Sequence, residues 1–187
     1  MSRSRFLSTT SLVFVAGTAA GAGCSDDSCG PGGAPATGLV ASGDAVTLTY
    51  GNLTGGLNND CPASDAPAGV ISLSIHGTQS DGTGRITLCV ARPDRLASAS
   101  QALGLNVPGA EVRIVDLAGS ASGCSFTIDG TQPATGTATS SGLCGNGSDA
   151  AGFALVLDGA LSLTRSCATG DDSIRVALHG RVAVQPE

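Results

Sequence analysis

Seven cysteines, two histidines and a set of turn-forming aspartates are the residues whose types could do chemistry in this chain of 187 residues. Cys29, Cys61, Cys89, Cys124, Cys144 and Cys167 stand twenty or more residues apart, and none forms a CxxC pair. Zinc ligands come in close pairs, so this spacing argues against a metal site and for disulfides. His76 and His179 each fall on the polar face of an alternating run. A general base needs a partner and a pocket, and neither is legible around them. Asp171-Asp172 and Asn58-Asn59-Asp60 are the best oxygen-ligand clusters, but neither has the spacing of a calcium loop. Gly119-Ser120-Ala121-Ser122-Gly123 looks like a nucleophile elbow with Ala121 at the nucleophile's place, and reads better as a turn. No catalytic residue, metal or cofactor is assigned. His76, His179, Asp171 and Asp172 stand as speculative binding residues.

The seventh cysteine, Cys24, closes a different kind of segment. Arg3 and Arg5 give a positive start, Leu12-Val13-Phe14-Val15-Ala16 an apolar centre, and Gly17 to Gly23 a run of small residues. This is the pattern of a secretory signal, too short and too diluted for a membrane span. Small residues ending in Cys resemble the lipobox of bacterial lipoproteins, with Gly21 where that family carries a large aliphatic residue. The resemblance covers the first two dozen residues. It implies removal of residues 1–23, a lipid on Cys24 and a place in the bacterial cell envelope, at the outer membrane. Residues 24–43, rich in Gly, Pro and Ser, then read as a tether that cannot bury enough surface to order itself.

The remaining six cysteines are an even set, as expected of a disulfide framework in an exported chain. Cys124–Cys144 is the first expectation, across a return from the turn at Asp129-Gly130. Cys61–Cys89 would tie the ends of a hairpin centred near Asp81-Gly82. Cys29–Cys167 is left by elimination.

The elements that position these residues are strands. Val46-Leu48-Tyr50, Ile71-Leu73-Ile75, Ile86-Leu88-Val90, Phe126-Ile128 and the long run Ile174-Val176-Leu178-Gly180-Val182-Val184 all alternate with polar residues. The alternation slips between Ile114 and Val115, which a bulge or a strand buried on both faces would explain. Gly51 to Gly69 reads as loop. Phe153-Leu155-Leu157 and Leu161-Leu163 read as a hairpin across Asp158-Gly159. The last run reads as one strand bent at Gly180. Pro93 to Leu103 is the one helical candidate, with Asp94 as cap and Gly104 as stop. The expected fold is all-β: one antiparallel sandwich or barrel-like domain over residues 44–187, with one short helix and disulfide staples.

Composition narrows function further. The chain has no Lys and a net charge of −6, so the basic face that nucleic-acid binding needs is missing. It has no Trp and one Tyr, and Tyr50 alone cannot form a platform for sugar rings. Two readings follow. One is a lipid-anchored envelope protein acting through its surface, as a binding or structural module whose protein or glycan partner is unknown. The other is a carbohydrate-binding module or small hydrolase on the same scaffold. A pocket holding His76 or His179 with an Asp would favour the second, and a filled interior with flat polar faces the first.

Overall fold

The computed structural model describes residues 38–43, 46–57, 61, 72–96, 99–105, 107, 110–144 and 152–185. The leader, Cys24 and Cys29 lie outside the described residues, as do Asn58-Asn59-Asp60. Ten strands form a single sheet: Gly38–Gly43 (β1), Val46–Leu57 (β2), Ser72–Gln79 (β3), Arg85–Ala91 (β4), Ser100–Gly104 (β5), Val112–Ala121 (β6), Cys124–Ile128 (β7), Thr135–Cys144 (β8), Gly152–Cys167 (β9) and Gly170–Val184 (β10).

The sheet closes on itself. Its order is β10-β1-β2-β3-β4-β6-β5-β8-β9-β7, and further pairings join β10 to β9 and β6 to β7. The gap between β6 and β9 is filled twice. β7 bridges it at one end, pairing Ala118–Ala121 and Leu163–Ser166. β5 and β8 bridge it at the other, where β5 runs parallel to β6. Among the described residues every strand therefore has a neighbour on both sides, which removes the exposed edges that open sheets must protect. Of the two architectures expected, sandwich or barrel, the structure is a closed barrel.

Alternation explains why it closes around apolar side chains. Leu48, Leu73, Ile75, Ile86, Leu88, Ile114, Leu117, Leu155, Leu161, Leu163 and Leu178 point inward, each 0–1% exposed. Barrels of about this strand number have an interior that side chains just fill. Outward positions are Thr47, Thr49, Arg85, Thr127, Thr135, Thr137, Asp158, Arg175 and His179, all exposed. Polar-out and apolar-in is the reverse of a membrane-spanning barrel. Among the described residues no helix is long and apolar enough to cross a membrane.

Four expectations need correction. The stretch 24–43 is not tether throughout: Gly38–Gly43 is strand β1, with Leu39 and Ala41 fully buried. The loop read over Gly51 to Gly69 starts too early, since β2 runs to Leu57 past an irregularity between Gly51 and Thr54. Pro93 to Leu103 is not a helix but one 3₁₀ turn, Pro93–Arg95, followed by β5. Its N-cap is Arg92 in the left-handed region, with no side-chain cap. Leu96 and Leu103 are both buried, so the apolar spacing is satisfied by a turn and a strand instead.

The fourth correction is the hairpin at Asp158-Gly159. β9 runs through it as one strand of 16 residues, paired with β10 along its length. Inward parity holds from Phe153 through Gly159 to Leu163, and a Cβ at Gly159 would meet the Thr135 carbonyl oxygen at 2.6 Å and Leu103 Cδ2 at 2.7 Å. Close approach of the neighbouring strand β8, not a turn, requires that glycine. The bulge and the single long last strand stand as expected. Thr87 faces Asp116 and Leu88 faces Ile114, leaving Val115 as the extra residue. Gly180 lies within β10 at φ +145°, where a Cβ would meet Gly38 O at 2.2 Å.

Candidate functional site

The barrel has two unlike ends. At one, short connections join β3 to β4, β6 to β7 and β9 to β10. At the other lie the longer connections between β2 and β3, β4 and β5, β5 and β6, and β8 and β9, with the start of β1 and the close of β10. We call these the hairpin end and the loop end.

One disulfide marks each. Cys124–Cys167 joins β7 to β9 at the hairpin end, with Cα atoms 4.4 Å apart. Cys61–Cys89 joins the residue before β3's loop to the outer face of β4, with Cα atoms 5.6 Å apart. The second bond is the pairing read from the sequence. The first corrects both other pairings, Cys124–Cys144 and Cys29–Cys167. Cys144 closes β8 opposite Gly152, at the far end of β9 from Cys167.

Polar groups plug the hairpin end. The fully buried Tyr50 hydroxyl donates to the Ala118 carbonyl at 3.0 Å, and burial pushes its pKa far up, so it stays a neutral donor. Gln79 Oε1 accepts from the Ser120 amide at 3.0 Å. Beside them the inward-parity pair Arg165 and Asp172 forms a two-pronged ion pair between β9 and β10. The Arg165 guanidinium holds the Asp172 carboxyl below its ordinary range.

The sequence-selected residues fall on the outer wall and do not converge. His179 is exposed on β10, opposite Asp158 on one side and Val40 on the other. His76 is half-buried on β3, and its Nδ1 shares a hydrogen bond with Thr87 Oγ1 at 3.2 Å. Thr87 in turn faces Asp116, which pairs with Arg85. The two histidines stand three strands apart, since β1 and β2 lie between β10 and β3. Asp171 is exposed at the start of β10, and Asp172 is engaged by Arg165. Among the described residues no three His, Cys, Asp or Glu side chains come together as a metal site. The turn read over Gly119 to Gly123 is shorter than expected: Gly119, Ser120 and Ala121 end β6, and only Ser122 and Gly123, both at positive φ, turn the chain into β7.

A shallow depression of about 590 Å³ opens at the hairpin end, lined by Asp81, Ser120, Ser122, Cys124, Ser125 and Ser166. It holds hydroxyls and one carboxylate, and neither histidine lines it. Asp81 accepts from the Thr83 amide and hydroxyl at 2.9 and 2.8 Å, which hold its pKa below the ordinary range. That carboxylate caps its own turn rather than serving a neighbouring hydroxyl as base.

Three further residues shape the wall and were not singled out in the sequence. Arg113 is buried next to Cys89 and donates to the Ala110 carbonyl at 3.2 Å; burial lowers its pKa. Asp129 accepts from the Thr131 hydroxyl and amide and from Ser173 Oγ across β9. Arg175 reaches over β9 to Thr135 on β8 at 2.8 Å. The Ser173 and Thr135 partners are distant in sequence, so no local pattern announces those two contacts, whereas Asp129 with Thr131 is a local turn bond.

Every aromatic side chain among the described residues is interior: Tyr50 and Phe153 at 0% exposure and Phe126 at 3%. None is offered to a sugar ring. Comparison with known proteins found no matching family model, no matching curated protein and no matching solved structure.

Proposed function

We propose that this chain is an exported, lipid-anchored protein of the bacterial cell envelope that acts through the outer surface of its barrel, as a binding or structural module. The observation that carries the surface reading is the filled interior inside a flat, polar wall. Leu39, Leu48, Leu88, Leu117, Leu155 and Leu178 occupy the space a ligand would need, each at 0% exposure. The outer wall exposes Thr47, Thr49, Thr135, Thr137, Asp158, Arg85 and Arg175. Two disulfides support an oxidising compartment, and hence export. The leader ending at Cys24 supplies the anchor.

Among the described residues neither histidine lines a pocket, as the hydrolase reading would need, and no aromatic ring is exposed, as the glycan reading would use. The partner is accordingly sought as a protein, with the membrane engaged through the lipid alone. Intact-mass analysis of the membrane fraction tests the anchor. The expected species is a chain beginning at Cys24 with a diacylglyceryl adduct; a lipid-free mature chain beginning at Gly23 overturns it.

A further inference from the structure

We propose that the outward row of β10 is a self-complementary docking face, through which two copies of this chain pair about a two-fold axis. This deepens the surface reading above and rests on it: the protein partner that reading calls for is a second copy.

The outward positions of β10 run Asp171, Ser173, Arg175, Ala177, His179 and Arg181. All are exposed except Arg181, which is half-buried. The row is about 34 Å long at the rise of an antiparallel strand. Its two ends carry opposite charge. Asp171 lies at the hairpin end, where the Asp129 carboxylate also accepts from Ser173 Oγ. His179 and Arg181 lie toward the loop end. Between them stands Ala177, flanked on its rung by Ala160 on β9 and Ser42 on β1. The middle of the face is therefore built of short side chains, which let another surface approach closely.

A face with opposite charges at its ends and short side chains between fits its own copy turned end for end. Place a two-fold axis across the row between Arg175 and Ala177. Asp171 then meets the partner's Arg181, Ser173 the partner's His179, and Arg175 the partner's Ala177. The reciprocal contacts repeat all three, as an isologous interface requires. Two Asp171–Arg181 pairs hold the ends, and Asp129 adds an acceptor opposite His179. A wholly acidic or wholly basic partner would satisfy one end and be repelled by the other, so charge selects a second copy. The two copies' Arg175 do not oppose each other. Each guanidinium reaches over β9 to Thr135 Oγ1, and the curved wall carries it off the line of contact.

Other charges on the described wall are satisfied within the chain. Arg85 pairs with Asp116 across β4 and β6, and Arg165 with Asp172 across β9 and β10. They leave no comparable row of opposite ends. The face is small: a strip about 34 Å long and about three strands wide covers less than the ~800 Å² per partner of a standard interface. The dimer is accordingly weak, and it is sought at high protein concentration.

The test uses the full-length protein, purified, concentrated and treated with a short bis-maleimide. The axis sets residue 177 of the two copies about 7 Å apart along the row, so Ala177→Cys should give a covalent dimer. Thr49→Cys, exposed on β2 two strands away, should not rise above the background of the chain without an added cysteine. Charge reversal then tests the pairing by sedimentation equilibrium. Asp171→Arg or Arg181→Asp alone should raise the dimer dissociation constant about tenfold, since each removes two surface ion pairs and sets like charges together. The two reversals combined should restore the native value. No more dimer from Ala177→Cys than from Thr49→Cys overturns the proposal, and so does a combined variant that stays as weak as the single ones. If Arg181→Asp disturbs β10, the cross-link and the fully exposed Asp171→Arg still decide. A different protein linked to the Ala177→Cys variant in place of a second copy overturns the dimer but leaves the surface reading standing.

Discussion

The two ends of the barrel solve the same problem by different means. At the hairpin end the chain turns back within a few residues, and glycines or Asx turns make the reversal: Gly82, Ser122 and Gly123 take positive φ, and Asp81 ties its own turn. At the loop end the strands are held by close backbone approach. Gly38 at φ +87° would place a Cβ 2.5 Å from Tyr50 O, and Gly180 would place one 2.2 Å from Gly38 O. A glycine in a turn is tolerated for its conformation. A glycine between strands is required for its missing atoms as well.

The largest expected effect breaks that contrast. Gly180→Ala puts a methyl group against backbone that cannot yield, in a region L-residues avoid, and should destabilise by about 3 kcal/mol or more. Gly123→Ala has positive φ but no atom within 4 Å, so it should cost about 1 kcal/mol. Urea unfolding midpoints of the two variants check this. Equal shifts would mean that strain alone, without packing, governs both glycines.

Next in size are the disulfides. The two bonds span 43 and 28 residues, so chain entropy makes each worth about 2–4 kcal/mol. Their local consequences should differ. Cys124 and Cys167 flank strands already paired as β7 and β9, so replacing both by Ala should lower global stability with little local opening. Cys61→Ala with Cys89→Ala releases the only described contact between Cys61 and β4, and should speed amide exchange in β4 and the start of β3. Exchange that rises equally in both double variants would erase the distinction.

Legibility in the sequence follows the same division. Period-two alternation exposed β2, β4 and β10, because each buries every second residue against a common core. The Cys61–Cys89 bond was readable because β3 and β4 are neighbours in sequence and in the sheet. Cys124–Cys167 was not, since it depends on the pairing of β7 with β9, which no local pattern encodes. Asp158-Gly159 misled for a physical reason: it carries turn chemistry, yet the inward parity of Phe153 to Leu163 runs straight through it. β1 was hidden because its six residues include two glycines, and only Leu39 and Ala41 mark the buried face. The choice between sandwich and barrel was not legible, because closure is a property of β1 meeting β10 and of β7 meeting β9. The histidines were legible as wall residues, and the wall is where they stand.

A smaller effect sharpens the account of the hairpin end. Tyr50→Phe keeps the ring and removes the one hydroxyl that donates to the Ala118 carbonyl. The expected loss is about 1 kcal/mol, the net worth of a buried hydrogen bond, read from thermal or urea unfolding. A change near zero would mean that the plug is held by packing and by Gln79 alone.

The smallest effect is one of pH, and it too separates the ends. Asp172 is held below its ordinary value by Arg165, Asp81 by Thr83, and Asp129 by Thr131. Asp81 and Asp172 sit at the hairpin end, and Asp129 near the middle of the wall. Each folded value lies below that of the unfolded chain, about 3.9. The stabilisation is therefore complete above that value and is lost as pH falls through the lower folded values. All three groups face solvent, so screening keeps each contribution small. Below about pH 4 amide exchange should rise first in β7, the end of β9 and the start of β10, before it rises where β2 meets β3 near Leu57. Asp172→Asn should remove part of this acid response while leaving the neutral-pH fold intact. Exchange that rises evenly along the barrel as pH falls would show that the hairpin end owes nothing to its carboxylates.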